Sequence, residues 1–152
     1  MQRIRVICWV RRRRRGGESL RYKERLQNAL DIFAEITRLG VAVGANMLTF
    51  TGLTGFGDLI ATCFSILSRN RYVGERLGRG DSLKDVLSSM PHVAEGVDTT
   101  HAVLLLAERY QVEMPITQVT AKLLFDGLTP KQAEAELLYR APGPEWPPSW
   151  VD

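Results

Sequence analysis

From Leu26 onward the apolar positions recur at threes and fours. Leu26, Leu30, Phe33, Ile36 or Thr37, and Gly40 form one stripe, which predicts a helix ending near Gly40 or Gly44. Residues 49–57 are rich in Gly and Thr and break that period. Asp58 then opens a short apolar run through Phe64 and is placed to cap it. Residues 65–70 read as a loop, and residues 71–77 as one or two helical turns stopped by the Gly78 and Gly80 pair. Ser82 with Asp85 three residues later resembles a capping box, with Leu83, Val86 and Leu87 on one face of the helix it starts.

Pro91 separates that helix from a longer one over residues 97–110, with Val97, Leu104, Leu105 and Ala107 as its expected buried face. Pro115 fits the first turn of another helix carrying Val119, Leu123 and Leu124, which Gly127 ends. Thr129 and Pro130 form an N-cap and N1 pair before Ala133, Leu137 and Leu138. Residues 141–152 contain four prolines and are expected to be unpaired. No two β-branched runs flank a hairpin turn, so the expected fold is all-α, a compact multi-helix domain of about six to seven helices.

Composition allows one core: 152 residues at 45% hydrophobic content suit a single globular domain. No apolar run has the length a bilayer crossing needs, so no membrane role is expected. Only Cys8 and Cys63 are present, which is no disulfide framework and fits a reducing cytoplasm. The net charge of +3 conceals an asymmetry. Residues 1–25 carry ten Lys or Arg against two Glu, a net +8, and the remainder carries −5. The pattern therefore divides the chain into a basic N-terminal segment (1–25), expected to be irregular, a helical domain (26–140) and a Pro-rich tail (141–152). The arginine run at 11–15 has no interleaved aromatic platform and no helical apolar face, which disfavours nucleic acid as a partner.

Five blocks in order carry a resemblance: A-E-I-T-R-L-G-V-A-V-G-A (34–45), G-L-T-G-F-G-D-L-I-A-T-C (52–63), L-S-R-N-R-Y-V-G (67–74), V-A-E-G-V (93–97) and V-E-M-P-I (112–116). The chain resembles, over residues 34–140, the C-terminal substrate-binding domain of bacterial NAD(P)-dependent glycerol-3-phosphate dehydrogenases. The resemblance implies an oxidoreductase of glycerophospholipid precursor synthesis. Its chemistry is hydride transfer between NAD or NADP and the carbon of dihydroxyacetone phosphate or glycerol 3-phosphate, with a lysine moving the proton.

The same resemblance assigns substrate binding to Asp58, Ser68, Arg69 and Asn70, and cofactor contact to Arg69, Val93 and Glu95. Taken alone, Ser68-Arg69-Asn70 reads as a surface helix cap with a solvated arginine, and Glu95 as a solvated loop acid. In the block they become a hydroxyl, a guanidinium fork and an amide before a helix N-terminus, which suits a phosphate. Arg71 is expected to turn toward solvent. Gly52, Gly55 and Gly57 are in the order G-x-x-G-x-G with no preceding strand, so they read as close helix packing and not as a dinucleotide loop. His92 and His101 have no Cys, Asp or third His at ligand spacing, so no metal is expected. Cys63 reads as a small buried hydrophobe.

The family's nucleotide-binding motif G-x-G-x-x-G is absent, and its catalytic lysine should fall near Arg5, which cannot exchange a proton near neutral pH. No catalytic residue is assigned. Lys23 is the one N-terminal lysine, in a charged stretch without the motif. The change of character before Phe33 is what a truncated or frame-shifted start would give, with a fusion as the alternative. Two other functions compete with a substrate-binding fragment inactive alone. One is a helical module that dimerises or pairs with a separate nucleotide-binding half; the other is an Arg-rich nucleic-acid-associated protein.

Overall fold

The computed structural model describes residues 18–92 and 94–139, and there it is all-α. The expectations for Arg5, the arginine run, Cys8, Val93 and the tail lie outside the described residues. Eight α-helices follow one another: α1 (Glu18–Ala42), α2 (Met47–Thr51), α3 (Asp58–Phe64), α4 (Arg69–Arg79), α5 (Leu83–Ser88), α6 (Glu95–Arg109), α7 (Pro115–Phe125) and α8 (Pro130–Leu138), with a π-helical turn (Leu53–Gly57) before α3. No helix among the described residues is long and apolar enough to cross a membrane.

Chain ends of the helices follow their local chemistry. α1 begins at Glu18, eight residues ahead of the apolar stripe, so residues 18–25 of the basic segment are helical. It stops in a Schellman turn: Gly44 takes φ +92°, its N–H donates to the Val41 carbonyl and the Ala45 N–H to that of Gly40, each at 2.9 Å. Gly80, at φ 102°, ends α4 in the same way, while Gly78 stays inside the helix. Ser82 caps α5 by accepting the Asp85 N–H at 3.1 Å. Thr129 and Gln132 form a full capping box at α8.

Residues 49–57 depart from the expected irregular segment. Asn46 caps α2 by accepting the Leu48 N–H at 2.9 Å, and the chain then winds through the π turn, where the Gly57 N–H reaches the Gly52 carbonyl at 3.3 Å. Gly55 is needed there, because a Cβ would overlap the Phe50 backbone. Gly40 serves the same contact from α1, since a Cβ on it would overlap the Phe50 ring. Gly52, by contrast, faces open space. Of the three glycines read as packing residues, Gly55 carries the close approach.

Two apolar clusters form the interior. One joins Val73 and Leu77 of α4 with Val86, Val97, Val119, Leu123, Leu124 and Ala133. The other joins Ala29, Ile32 and Leu39 of α1 with Leu59, Cys63, Ala107 and Met114. α6 and α7 contribute to both, which makes them the spine. Cys63 is buried within the second cluster, as its apolar setting implied. Leu105 corrects the expected face of α6: it is 68% exposed, while Val97 and Ala107 are buried as expected and are joined by Gly96 and Thr100.

Candidate functional site

α3 and α4 meet through a loop of four residues, 65–68. Ser68, at φ −69° and ψ 117°, caps α4, its hydroxyl accepting the Arg71 N–H at 3.3 Å. Arg69 is the first helical residue and its side chain is exposed. Asn70 is buried, and its Oδ1 accepts the Gly96 N–H at 3.2 Å. That bond ties the first turn of α4 to the first turn of α6, where Glu95 is exposed. The head of α6 has no side-chain cap of its own, so Asn70 does that work from a distance. Ser68, Arg69, Asn70 and the turn carrying Glu95 are thus brought to one end of the α4–α6 pair. Val93, two residues before Glu95, lies outside the described residues.

The head of α4 therefore gathers a hydroxyl at Ser68, a guanidinium-bearing residue at Arg69 and the positive end of the helix dipole, the kinds of group that suit an anion. Asp58 sits differently from its expected role as a cap. Its backbone is already helical at φ −66° and ψ −38°, and its N–H donates back to the Leu53 carbonyl, because the π turn runs directly into α3. There is no open helix end at Asp58 to cap. The half-buried carboxylate stands at the opposite end of α3 from the loop carrying Ser68, roughly 9 Å along the axis.

Arg71 also departs from expectation. It turns inward: Nη1 donates to the Phe64 carbonyl at 2.9 Å and Nε to Glu75 Oε1 at 3.0 Å. The i,i+4 spacing of Arg71 and Glu75 was the available sequence signal for this pair. A second residue missed by sequence reasoning is Glu35, which is 2% exposed and accepts from Ile116 and Thr117 at the start of α7. Burial pushes its carboxyl above the ordinary glutamate value, and the donors at Ile116 and Thr117 and the Arg38 charge pull it partway back. Its presence inside an apolar block was the one hint. Among the described residues no three His, Cys, Asp or Glu gather as they would around a metal ion, and His101 stacks on Phe125 with ring centroids 4.0 Å apart.

The family model described as NAD-dependent glycerol-3-phosphate dehydrogenase C-terminus matches residues 12–135, beginning ahead of the first block at residue 34 and taking in all of α1. A glycerol-3-phosphate dehydrogenase of Geobacillus thermodenitrificans, named for NAD(P)+, is 56% identical over 107 residues, 70% of this chain and 31% of that protein. Its counterpart in Parafrankia sp. is 51% identical over 113 residues, 74% of this chain and 34% of that protein. The crystal structure of glycerol-3-phosphate dehydrogenase from Coxiella burnetii matches with a TM-score of 0.73 at 35% identity, over 82% of this chain and 37% of that one. The chain spans about a third of the length of the curated relatives it matches. With the helical architecture and the family match in agreement, the chain belongs to the family of the NAD-dependent glycerol-3-phosphate dehydrogenase C-terminus.

Proposed function

We propose that this domain is the substrate-holding side of an NAD(P)-linked sn-glycerol-3-phosphate dehydrogenase, acting on glycerol 3-phosphate and dihydroxyacetone phosphate. The observation that carries the reading is the Asn70 to Gly96 hydrogen bond, which joins the block S-R-N to the block V-A-E-G across 26 positions. Ser68, the Arg69 fork and the first-turn amides of α4 hold the substrate phosphate. Asn70 Oδ1 accepts the Gly96 N–H, which sets the plane of an amide whose NH2 group is of the donor kind a phosphate takes. Asp58 takes a substrate hydroxyl or orients the proton-carrying lysine. Arg69, Val93 and Glu95 face the cofactor, with Glu95 accepting from a ribose or amide.

NAD or NADP supplies or receives the hydride when bound. Its phosphate cradle and the lysine come from a nucleotide-binding half outside these 152 residues, whose sequence contains neither motif. The substrate unit is residues 26–140, with residues 18–25 joined to it as the first turns of α1. Partner contact, by that half or by a second copy, falls on the exposed apolar side chains of α2, the π turn and the loop before Ser68. A chain with only two cysteines, one of them the buried Cys63, fits a cytoplasmic setting. Titrating the isotopically labelled chain with glycerol 3-phosphate tests the assignment. Amide shifts should move at residues 68–72 and at Gly96. Shifts confined to other regions, or none at millimolar ligand, would overturn it.

A further inference from the structure

We propose that Arg71 is a positioning residue, a clamp that sets the geometry of the loop holding the substrate phosphate; this rests on the reading of Ser68 and Arg69 given above. Its guanidinium spans the two ends of that loop. Phe64 is the last residue of α3, and its carbonyl is one that a helix end leaves without an internal partner. Arg71 Nη1 supplies the donor at 2.9 Å, while the backbone N–H of the same residue is held by the Ser68 hydroxyl at 3.3 Å. One residue therefore fixes both where the loop leaves α3 and where it enters α4.

Nothing apolar does this work. Ile66 and Leu67, in the middle of the loop, are 83% and 86% exposed, so burial does not seat it. The bonds inside the loop are local: the Leu67 N–H to the Ser65 hydroxyl at 3.1 Å and the Ser68 N–H to the Ser65 carbonyl at 3.3 Å. They shape the loop without attaching it to α4. Ser68 joins α4 through the Arg71 and Tyr72 N–H groups, and the start of the loop at Phe64 is attached to α4 by the Arg71 side chain, 14% exposed, whose plane is set by Glu75 taking Nε at 3.0 Å. With its charge matched by Glu75, Arg71 acts through the directions of its donors. A lysine at this position gathers its donors on one point charge and lacks the fixed, separated Nη1 and Nε directions that meet Phe64 and Glu75.

Hydrogen exchange and glycerol 3-phosphate affinity, measured on the full chain, test the clamp. In Arg71→Lys the amides of Ser65, Leu67, Ser68 and Tyr72 should exchange at least roughly tenfold faster, while those of Leu123 and Leu124 keep their wild-type rates. Affinity for glycerol 3-phosphate should fall by roughly tenfold with the melting temperature little changed. Glu75→Gln keeps an acceptor for Nε and should stay near wild type in both, whereas Glu75→Ala should follow Arg71→Lys. Unchanged loop exchange in Arg71→Lys, or faster exchange spread evenly over both apolar clusters, would overturn the clamp. A wild-type chain that gives no response to glycerol 3-phosphate overturns the substrate reading instead, and the exchange measurement still decides the clamp.

Discussion

Glu35 on α1 and Thr117 on α7 are joined twice, Oε2 accepting from the Thr117 backbone N–H at 3.1 Å and from its hydroxyl at 2.9 Å. Oε1 takes the Ile116 N–H at 2.6 Å. Met114, at the cap position of α7, supplies no side-chain acceptor, and Pro115 has no N–H to satisfy. A carboxylate from 81 positions away in sequence therefore caps α7 and fastens it to α1. Arg38 adds a second tie from the same helix, donating to the Glu113 carbonyl at 3.2 Å.

Glu35→Ala should cost about 2 to 4 kcal/mol in urea unfolding, because it leaves buried donors without acceptors. The pH dependence has a defined sign. The folded-state pKa lies above the ordinary value of 4.5, so the folded protein holds this proton more tightly than the unfolded one. The stability from this linkage is complete below that ordinary value and is lost as pH rises through the folded-state value. Glu35→Gln, which does not titrate, should lack this decline, so wild-type stability relative to Glu35→Gln should fall as pH rises above the ordinary value of 4.5 and through the raised folded-state value. Parallel profiles would show that the carboxylate is ionised as readily inside as in water.

The glycines around Phe50 give a graded test. Gly55→Ala drives a methyl into the Phe50 backbone, which cannot rotate away, and should destabilise by about 1 to 3 kcal/mol or more. Gly52→Ala meets open space at an extended φ of −83° and should be within about 0.5 kcal/mol of wild type. Thermal unfolding of the two variants separates close packing from a merely Gly-rich composition, and equal melting temperatures would remove the packing argument.

Those same residues show where the sequence was legible. Caps were readable because they are local: Ser82 with Asp85, Thr129 with Pro130, and Gly80 each act within a few residues. α2 and the π turn were not, since Gly and Thr lower helix propensity, and the buried Phe50 against Gly40 and Gly55, with the Asn46 cap, accounts for the winding. The start of α1 at Glu18 was hidden because charged residues there replace apolar periodicity. At the candidate site Ser68 was visible as a cap, whereas Asn70 on Gly96 and Glu35 on Thr117 join blocks too far apart for any spacing rule. Arg71 was not legible as an inward residue because an arginine in the first turn of a short helix is ordinarily solvated, and its partner is a backbone carbonyl that no side-chain pattern announces.

Exposed apolar side chains predict association. Leu53 is 89% and Leu67 86% exposed, beside Leu48 at 75% and Ile66 at 83%. At high concentration the chain should self-associate in sedimentation velocity and bind a hydrophobic dye. Leu53→Glu combined with Leu67→Glu should restore a monomer without lowering the melting temperature. A wild-type chain that stays monomeric throughout would mean these side chains are tolerated singly.

Turnover is expected to be absent from the 152 residues alone. Hydride transfer needs a cradled cofactor and a group that exchanges a proton near neutral pH, and the sequence supplies neither the phosphate-cradling motif nor the lysine in its block. NADH consumption with dihydroxyacetone phosphate should match a no-protein blank. Activity that persists after host dehydrogenases are removed would overturn this.

Arg69 should be the residue whose loss most weakens glycerol 3-phosphate binding. It opens α4, where the helix amides favour an anion, and its fork can take two phosphate oxygens at once. A charge-assisted bond contributes about 1.5 to 3 kcal/mol, so Arg69→Ala should weaken binding by roughly ten- to hundred-fold. Arg69→Lys should recover little, because one ammonium replaces a fork with a point charge. Arg71 is unsuitable as the comparison, since removing it also releases Phe64 and Glu75. Arg79 serves instead: it lies at the far end of the same helix, its side chain is 70% exposed, and its contact with Glu75 is long at 3.8 Å. Calorimetric titration of Arg69→Ala and Arg79→Ala with glycerol 3-phosphate decides the matter. Equal losses at the two positions would mean that the ligand responds to the net charge of the domain and that the phosphate does not sit at the head of α4.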